Sequence, residues 1–387
     1  MLQGLKVLET ANVITGPFAG MLLADLGAEV LKVESLDGGD PFRKWEADSE
    51  ATKPTFASYN HGKKSLALDL KSERGREIYR RLVGESDVLI QNFRPGAMER
   101  LGLGWEDLRQ VNPRLVYCHI TGVGPDGPEA GRPIFDAVAQ ALSGLWSQFT
   151  DLDAPEPVGP PFADQLTAVF ASYAILAGVH QARSTGEGVK LEISMLAACL
   201  AFQTMGVATL AAEGAVPTKS SRARQSQSYA FLGCDGLPFA IHLSTPHKFW
   251  TGLCHAAGRP QLVTDGRFAT KPLRVKHYDE LHDVLASVFA TRPRDEWLAT
   301  LEDHDVPAAP ILTLGEAVDH PQVRATGMLL DGPGGRGLVR SPVVVDGTRL
   351  GADVHCPALG EDTADVLARL GLSEEERQAL LADRVVS

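Results

Sequence analysis

Cysteine is scarce in this chain, with five in 387 residues. Cys118, Cys199, Cys234, Cys254 and Cys356 are odd in number and include no C-x-x-C pair. That pattern excludes a zinc ribbon and points to reduced thiols in the cytoplasm rather than a disulfide frame. Positive charge is also short: 37 lysines and arginines face 49 aspartates and glutamates, for a formal net charge of −12. A general nucleic-acid binder is excluded, although a local basic cluster can still hold a small anion. Asp, His, Arg or Gln interrupts each apolar run before it reaches the roughly 20 residues of a membrane span, so no membrane partner is expected. The N-terminal MLQGLKVLET enters a strand-like run directly, without a signal-peptide pattern. The eleven histidines are scattered without ligand spacing, so no metal is expected. P-loop, G-x-S-x-G and H-E-x-x-H motifs are missing. The chemistry is left to carboxylates.

Hydrophobic content of 44% and charged content of 22% describe an ordinary globular protein. The length allows two or three domains. The first third alternates regularly. Leu5 to Glu9 predicts a strand, Thr15-Gly16-Pro17 a turn, Phe18 to Leu26 a helix capped by Gly27, and Glu29 to Glu34 a strand. After the loop Asp37 to Pro41, strands are expected within Lys63–Lys71, Asp87–Gln91 and Leu115–Ile120. Helices are expected at Arg74–Val83, Ala97–Leu101, Trp105–Gln110 and Phe135–Trp146. This alternation predicts an α/β fold with a parallel sheet and helical crossovers. Gly122 to Gly127 matches G-x-G-x-x-G in letters only. Pro125 and Pro128 remove amide donors that a phosphate would use, and Asp136 comes too early to meet a ribose.

The stretch Val158 to Ser194 carries the sharpest signal. A Gly-Pro-Pro turn leads to Asp164, then Ala168, Ala171, Ile175, Leu176 and Val179 recur at helical spacing. An acid at the head of a buried helix has two readings. It is a first-turn charge that suits the helix dipole, or a carboxylate nucleophile facing a cleft. Asp164 alone leaves both open. Beyond a strand at Val189–Ile193, Met195 to Ala212 predicts one long apolar helix. The polar stretch 213–227 reads as a linker, closing a large N-terminal domain at residue 212. Residues 228–318 read as a small α+β domain. It opens with a hairpin, Tyr229–Leu232 and Phe239–His242 around Asp235-Gly236, and continues in helices at His247–Ala257, Tyr278–Phe289 and Arg294–Leu301. Residues 319–387 read as a return segment, with a turn at Gly332–Gly337 and helices at Thr363–Leu370 and Ser373–Ala382.

The candidate chemical groups are Asp164, Asp136 and Glu34. Lys71, Phe93 and Arg100 could receive an adenine and phosphates. Singly, each of these reads rather as a core aromatic or a solvated charge. Together the motifs are more specific. TGPFAGMLLADLGAEVLKVE, the GD before Pro41, HGKKSLALDLK, QNFRPGAMERLGLGWEDL, GVGPDGP, DAVAQALSG, GPPFADQLTAVFAS, STGEGVKLEISML and the C-terminal ALGEDTADVL resemble the class III CoA-transferase family. That family also holds formyl-CoA transferase, carnitine CoA-transferase and the α-methylacyl-CoA racemases.

The resemblance implies a Rossmann-like large domain built from both chain ends, a smaller domain, and an interlocked homodimer. It places the nucleophilic aspartate on Asp164 and an assisting acid on Asp136. It places CoA contacts on Val13, Ile14, Leu68, Lys71, Asn92, Phe93, Ala97, Arg100 and Phe135. No cofactor is permanently bound; a coenzyme A thioester is the substrate, and a free carboxylic acid is the second one. The chain also departs from its relatives. Formyl-CoA transferase has a glutamine where Ile14 stands, an arginine where Ser35 stands, and a glycine-rich lid that is not visible near Ser226 to Leu232. Racemases carry a histidine where Phe135 stands, and Phe135 cannot take a proton. The expected reaction is CoA transfer to a carboxylate. An α-methylacyl-CoA racemase and a silent acyl-CoA binder are the alternatives.

Overall fold

Six short strands rich in aliphatic residues meet in one sheet in the computed structural model, which describes residues 1–45, 54–332 and 335–387. They are β1 (Lys6–Thr10), β2 (Glu29–Glu34), β3 (Lys64–Ala67), β4 (Val88–Gln91), β5 (Val116–Thr121) and β6 (Val189–Ser194). Every neighbouring pair is parallel, in the order β3-β2-β1-β4-β5-β6. This is the doubly wound order, whose switch point lies between β1 and β4. Parallel neighbours need crossovers, and helices supply them. These are α1 (Thr15–Asp25), α2 (Pro54–Asn60), α3 (Glu73–Gly84), α4 (Ala97–Arg100), α5 (Trp105–Val111), α6 (Asp136–Leu142) and α7 (Phe162–Thr185).

Both sheet faces are buried, as helices on two sides require. On one face Val7, Val30, Val88, Ile90, Val116 and Cys118 meet Ala19 and Leu23 of α1 and Ala168, Ala171 and Ile175 of α7. On the other, Leu8, Leu31, Leu66, Leu89 and Tyr117 meet Ile78, Tyr79 and Leu82 of α3. Small residues let α7 lie close to the sheet: a Cβ added at Gly178 would stand 2.9 Å from Val116 Cγ1. By length and composition alone this 24-residue helix could cross a membrane. That corrects the expectation that every apolar run is interrupted too early. Here Ala168, Ala171, Ile175, Val179 and Ala182 are core residues of the sheet.

The single helix expected over Met195–Ala212 is two: α8 (Met195–Phe202) and α9 (Thr204–Glu213). They break at Gln203, whose Nε2 donates to the carbonyls of Cys199 at 2.9 Å and Ser143 at 3.1 Å. The expected linker contains a short helix, α10 (Ser221–Ser226).

The chain divides into two compact units, one of Met1–Leu145, Val158–Thr204 and Arg324–Ser387, the other of Trp146–Pro157 and Met205–Val323. The second unit packs helices on an antiparallel sheet, β7 (Ser228–Leu232), β8 (Pro238–His242) and β9 (Ala308–Pro310). Its core gathers Phe239, Trp250, Phe289 and Trp297. The last segment of the first unit carries two short hairpins, β10 (Leu329–Gly332) with β11 (Gly335–Val339) and β12 (Val344–Val345) with β13 (Thr348–Arg349). The turn expected at Gly332–Gly337 lies partly outside the described residues. Helices at Thr363–Arg369 and Glu374–Ala382 follow, and residues 360–386 dock on the β3 side of the sheet. Asp362 Oδ2 accepts from Ser65 N at 2.9 Å, and Val385 O accepts from Asp69 N at 2.9 Å.

Candidate active site

The turn Gly159-Pro160-Pro161 sets up the start of α7. Its N-cap, Pro161, has no side chain able to cap the helix, so the first amides need another partner. Asp136, at the head of α6, supplies it. Its Oδ1 accepts from Ala163 N at 2.8 Å and Asp164 N at 3.2 Å. Its Oδ2 accepts from Gln140 Nε2 at 2.6 Å, and the same Nε2 reaches Pro160 O at 3.1 Å. Gln140 is fully buried, and its Oε1 has no partner among the described residues. The capping role that Asp164 might have filled therefore belongs to Asp136, reached across the fold.

Asp164 is left free for another task. It is 9% exposed, and Oδ1 accepts from Thr15 Oγ1 at 2.5 Å. Burial pushes its carboxyl up to about 6; the Thr15 bond opposes this, and the charge of Asp136 adds to it. Oδ2 carries no bond to the chain among the described residues. Beneath it Ala139, Leu145, Ala163, Met195 and Cys199 form an apolar floor. Burial also raises the Cys199 thiol above its ordinary value, which suits a packing residue.

Val13, Thr15, Asn92, Phe93, Phe135 and Asp164 line one cleft of about 240 Å³, with the exposed Arg94 and Arg132 also on its wall. Of the positions singled out in the sequence, these bring Val13, Asn92, Phe93 and Phe135 beside Asp164, with Asp136 directly behind. Ile14, Leu68, Lys71, Ala97 and Arg100 do not line this cleft. Leu68 is buried in the core, so its side chain offers nothing to a ligand. Lys71 and Arg100 are exposed. Glu34 leaves the list of candidate acids: Arg43 holds both its oxygens at 2.7 Å. Burial would push Glu34 up, but Arg43 and Lys32 outweigh it and bring it down to about 2. Gly122 lines the cleft as loop, and the next helix begins only at Asp136, which is not dinucleotide-binding geometry.

Three contributors went unseen in the sequence. Thr15 had a weak signal, a hydroxyl beside a turn at a helix start. Gln140 had none. The third is a buried ion network: Lys32 Nζ pairs with Glu9 Oε1 at 2.9 Å and Asp40 Oδ2 at 3.0 Å, and Lys63 Nζ with Glu9 Oε2 at 2.8 Å. Around Phe93, Gln91 Oε1 accepts its N–H at 2.8 Å and His119 Nε2 lies 3.1 Å from its carbonyl. Burial lowers the His119 pKa, opposed by the bond to the Phe93 carbonyl.

The chain matches the family model described as CoA-transferase family III over residues 2–363. The succinate–glutarate CoA-transferase of Agrobacterium fabrum is 34% identical over 384 residues, covering 95% of each chain. The acetyl-CoA:oxalate CoA-transferase of Acetobacter aceti is 33% identical over 348 residues, covering 89% of each. Among solved structures, a CaiB/BaiF family protein from Brucella suis superposes with a TM-score of 0.84 at 34% identity, covering 95% of this chain and 98% of that one.

Proposed function

Since this chain belongs to CoA-transferase family III, we propose that it transfers CoA from an acyl-CoA thioester to a free carboxylic acid, with Asp164 as the nucleophile. The observation that carries the residue assignment is the environment of Asp164: a buried carboxylate on a cleft wall, one oxygen held and the other without a bond among the described residues. Asp164 Oδ2 attacks the thioester carbonyl; the C–S bond breaks and CoA leaves as the thiolate. The mixed anhydride then takes the thiolate at the aspartyl carbonyl. This releases the donor acid and leaves an aspartyl-CoA thioester. The acceptor carboxylate attacks that thioester and forms a second anhydride with release of thiolate. Attack of the thiolate on the acceptor's carbonyl gives the new acyl-CoA and restores Asp164. One exchange becomes a series of steps between groups of similar reactivity, so no other energy source is needed. Backbone amides of the cleft loops steady the oxyanions. Asp136 fixes the backbone from which Asp164 projects.

The preferred acids are short aliphatic dicarboxylates. Arg94 on the cleft wall can face a second carboxylate, beside Arg132, which is itself paired with Glu129 at 2.8 Å, and both relatives named above act on such acids. We place the working enzyme in the cytoplasm as an interlocked homodimer. The free state of all five cysteines supports the first, and the exposed Met205, Val207 and Leu210 of α9 support the second.

Purified protein incubated with a panel of acyl-CoAs and free mono- and dicarboxylates should give a new CoA thioester, read by mass spectrometry, only when both partners are present. Asp164→Ala should abolish it and leave CoA binding within a few-fold of wild type, because only the covalent steps need that side chain. Unchanged turnover would sink the assignment. In heavy water the α-carbon of a bound acyl group should take up no deuterium, because Phe135 offers no base there. Uptake without a carboxylate acceptor would instead mark a racemase.

A further inference from the structure

Val13 is the one β-branched residue with a left-handed backbone among the described residues, at φ +69°. Its branched side chain makes this conformation unfavourable, so surrounding structure must impose it. Two polar side chains do so, the buried Asp40 and the half-buried Asn92. Val13 N–H donates to Asp40, at 3.0 Å from Oδ1 and 3.2 Å from Oδ2. Asn92 clamps the preceding residue on both sides, with Oδ1 accepting from Asn12 N at 2.9 Å and Nδ2 donating to Asn12 O at 2.8 Å. Asp40 is itself fixed, being fully buried, paired with Lys32 Nζ at 3.0 Å and bonded by Phe42 N at 2.9 Å. Lys32 Nζ also donates to Ala11 O at 2.6 Å. Residues 11 and 13 are thus tied to the buried Lys32 and Asp40, and residue 12 to the half-buried Asn92. Two residues later Thr15 donates to Asp164.

We propose that Asp40 is a positioning residue of the transfer reaction. It holds Val13 in the left-handed conformation that sets Thr15 Oγ1 against Asp164, and Asn92 is the second clamp. The proposal rests on the reading of Asp164 as nucleophile. It also gives Asn92 a task besides contact with an adenine: both ends of its carboxamide are engaged by the Asn12 backbone. Asp40 also balances charge, because the one carboxylate of Glu9 is shared between Lys32 at 2.9 Å and Lys63 at 2.8 Å; rescue by a backbone change is what separates positioning from charge balance.

The test is a double-mutant cycle of Asp40→Asn with Val13→Gly, read by the kinetics of CoA exchange. Asp40→Asn should lower kcat on the order of 10–100-fold, the scale of a displaced reacting group, with KM for acyl-CoA changed only a few-fold. Glycine adopts a left-handed backbone without a Cβ penalty. Adding Val13→Gly to Asp40→Asn should therefore recover roughly tenfold or more in kcat. A network that merely stabilises the fold predicts no such rescue, and a double variant as slow as Asp40→Asn overturns the proposal. If Asp40→Asn fails to fold, Asn92→Ala with Val13→Gly makes the same cycle with the same expected rescue. Hydrogen exchange of the peptide covering residues 11–17 gives a readout independent of turnover. Protection should fall in Asp40→Asn and return in the double variant, and unchanged protection in Asp40→Asn counts against the clamp. A wild type silent on every substrate overturns the nucleophile reading, and the positioning claim with it. A wild type that Asp164→Ala silences, combined with a failed rescue, overturns the positioning claim alone.

Discussion

Burial holds the Asp164 carboxyl at about 6, against an ordinary 3.8. The attacking species is the carboxylate, so kcat/KM should rise with pH through about 6 and level off above it. A profile flat from pH 5 to 8 would contradict this. Stability moves the other way. The folded chain binds this proton more tightly than the unfolded chain, so Asp164 makes folding less favourable as pH rises from about 4 to about 6, and that deficit persists above. Asp164→Asn removes the buried charge and keeps an acceptor for Thr15. It should be inactive yet more stable than wild type at pH 7, by on the order of 1–3 kcal/mol, and no more stable at pH 4. Urea unfolding at both pH values measures it. Thr15 stabilises the charged form, so Thr15→Val should push the carboxyl higher and move the acid limb of the rate profile to higher pH. A limb left in place would show that the hydroxyl does not govern this group.

Among the elements, the β1–α1 turn is the most tightly specified. A Cβ on Gly16 would stand 2.2 Å from Ala11 Cβ, so Gly16→Ala must displace the head of α1 and Thr15 with it. It should cost roughly 1–3 kcal/mol in chemical unfolding and lower kcat more than it raises KM for acyl-CoA. The strands and most crossovers from Leu5 to Ile120 were legible in the sequence, since apolar periodicity and turn residues agree there; the exception is α2 (Pro54–Asn60), for which no helix was expected. The head of α7 was legible too, because the Gly-Pro-Pro turn marks it. The division at Gln203 was not. Met195 to Ala212 is apolar on nearly every side, so it shows no phase from which a break could be read. The pairing of Asp136 with the α7 amides and of Thr15 with Asp164 joins segments far apart in the chain. No local pattern records such contacts. Nor did the strand pattern mark Lys32, which a parallel sheet covered on both faces leaves fully buried.

At the scale of the whole molecule, the net charge of −12 hides a balanced interior. Glu9, Glu34 and Asp40 face Lys32, Arg43 and Lys63 in buried pairs. Glu34 ionises near 2 against an ordinary 4.5, so its stabilising contribution is present above about 4.5 and is lost as pH falls toward 2. Acid unfolding should be delayed toward that lower limit, and Glu34→Gln should bring it forward, as circular dichroism along a pH titration will show. The first unit is discontinuous in sequence, and its β3 side is covered by residues 360–386. Deleting residues 358–387 strips Val366, Leu367, Leu370 and Val386 from the core shared with Leu66, Leu68 and Tyr79. The shortened chain should be insoluble or bind a dye for exposed apolar surface, and a soluble, cooperatively unfolding product would count against this packing. The same discontinuity sets a schedule. Ser65 meets Asp362 across 297 residues, and at about 5–20 residues per second a ribosome needs on the order of 15–60 s to cover that distance. For that interval the nascent chain presents a half-built sheet with a bare apolar flank. Residues 360–386 complete the layer that the first strands began, so until they emerge that flank is open to other chains.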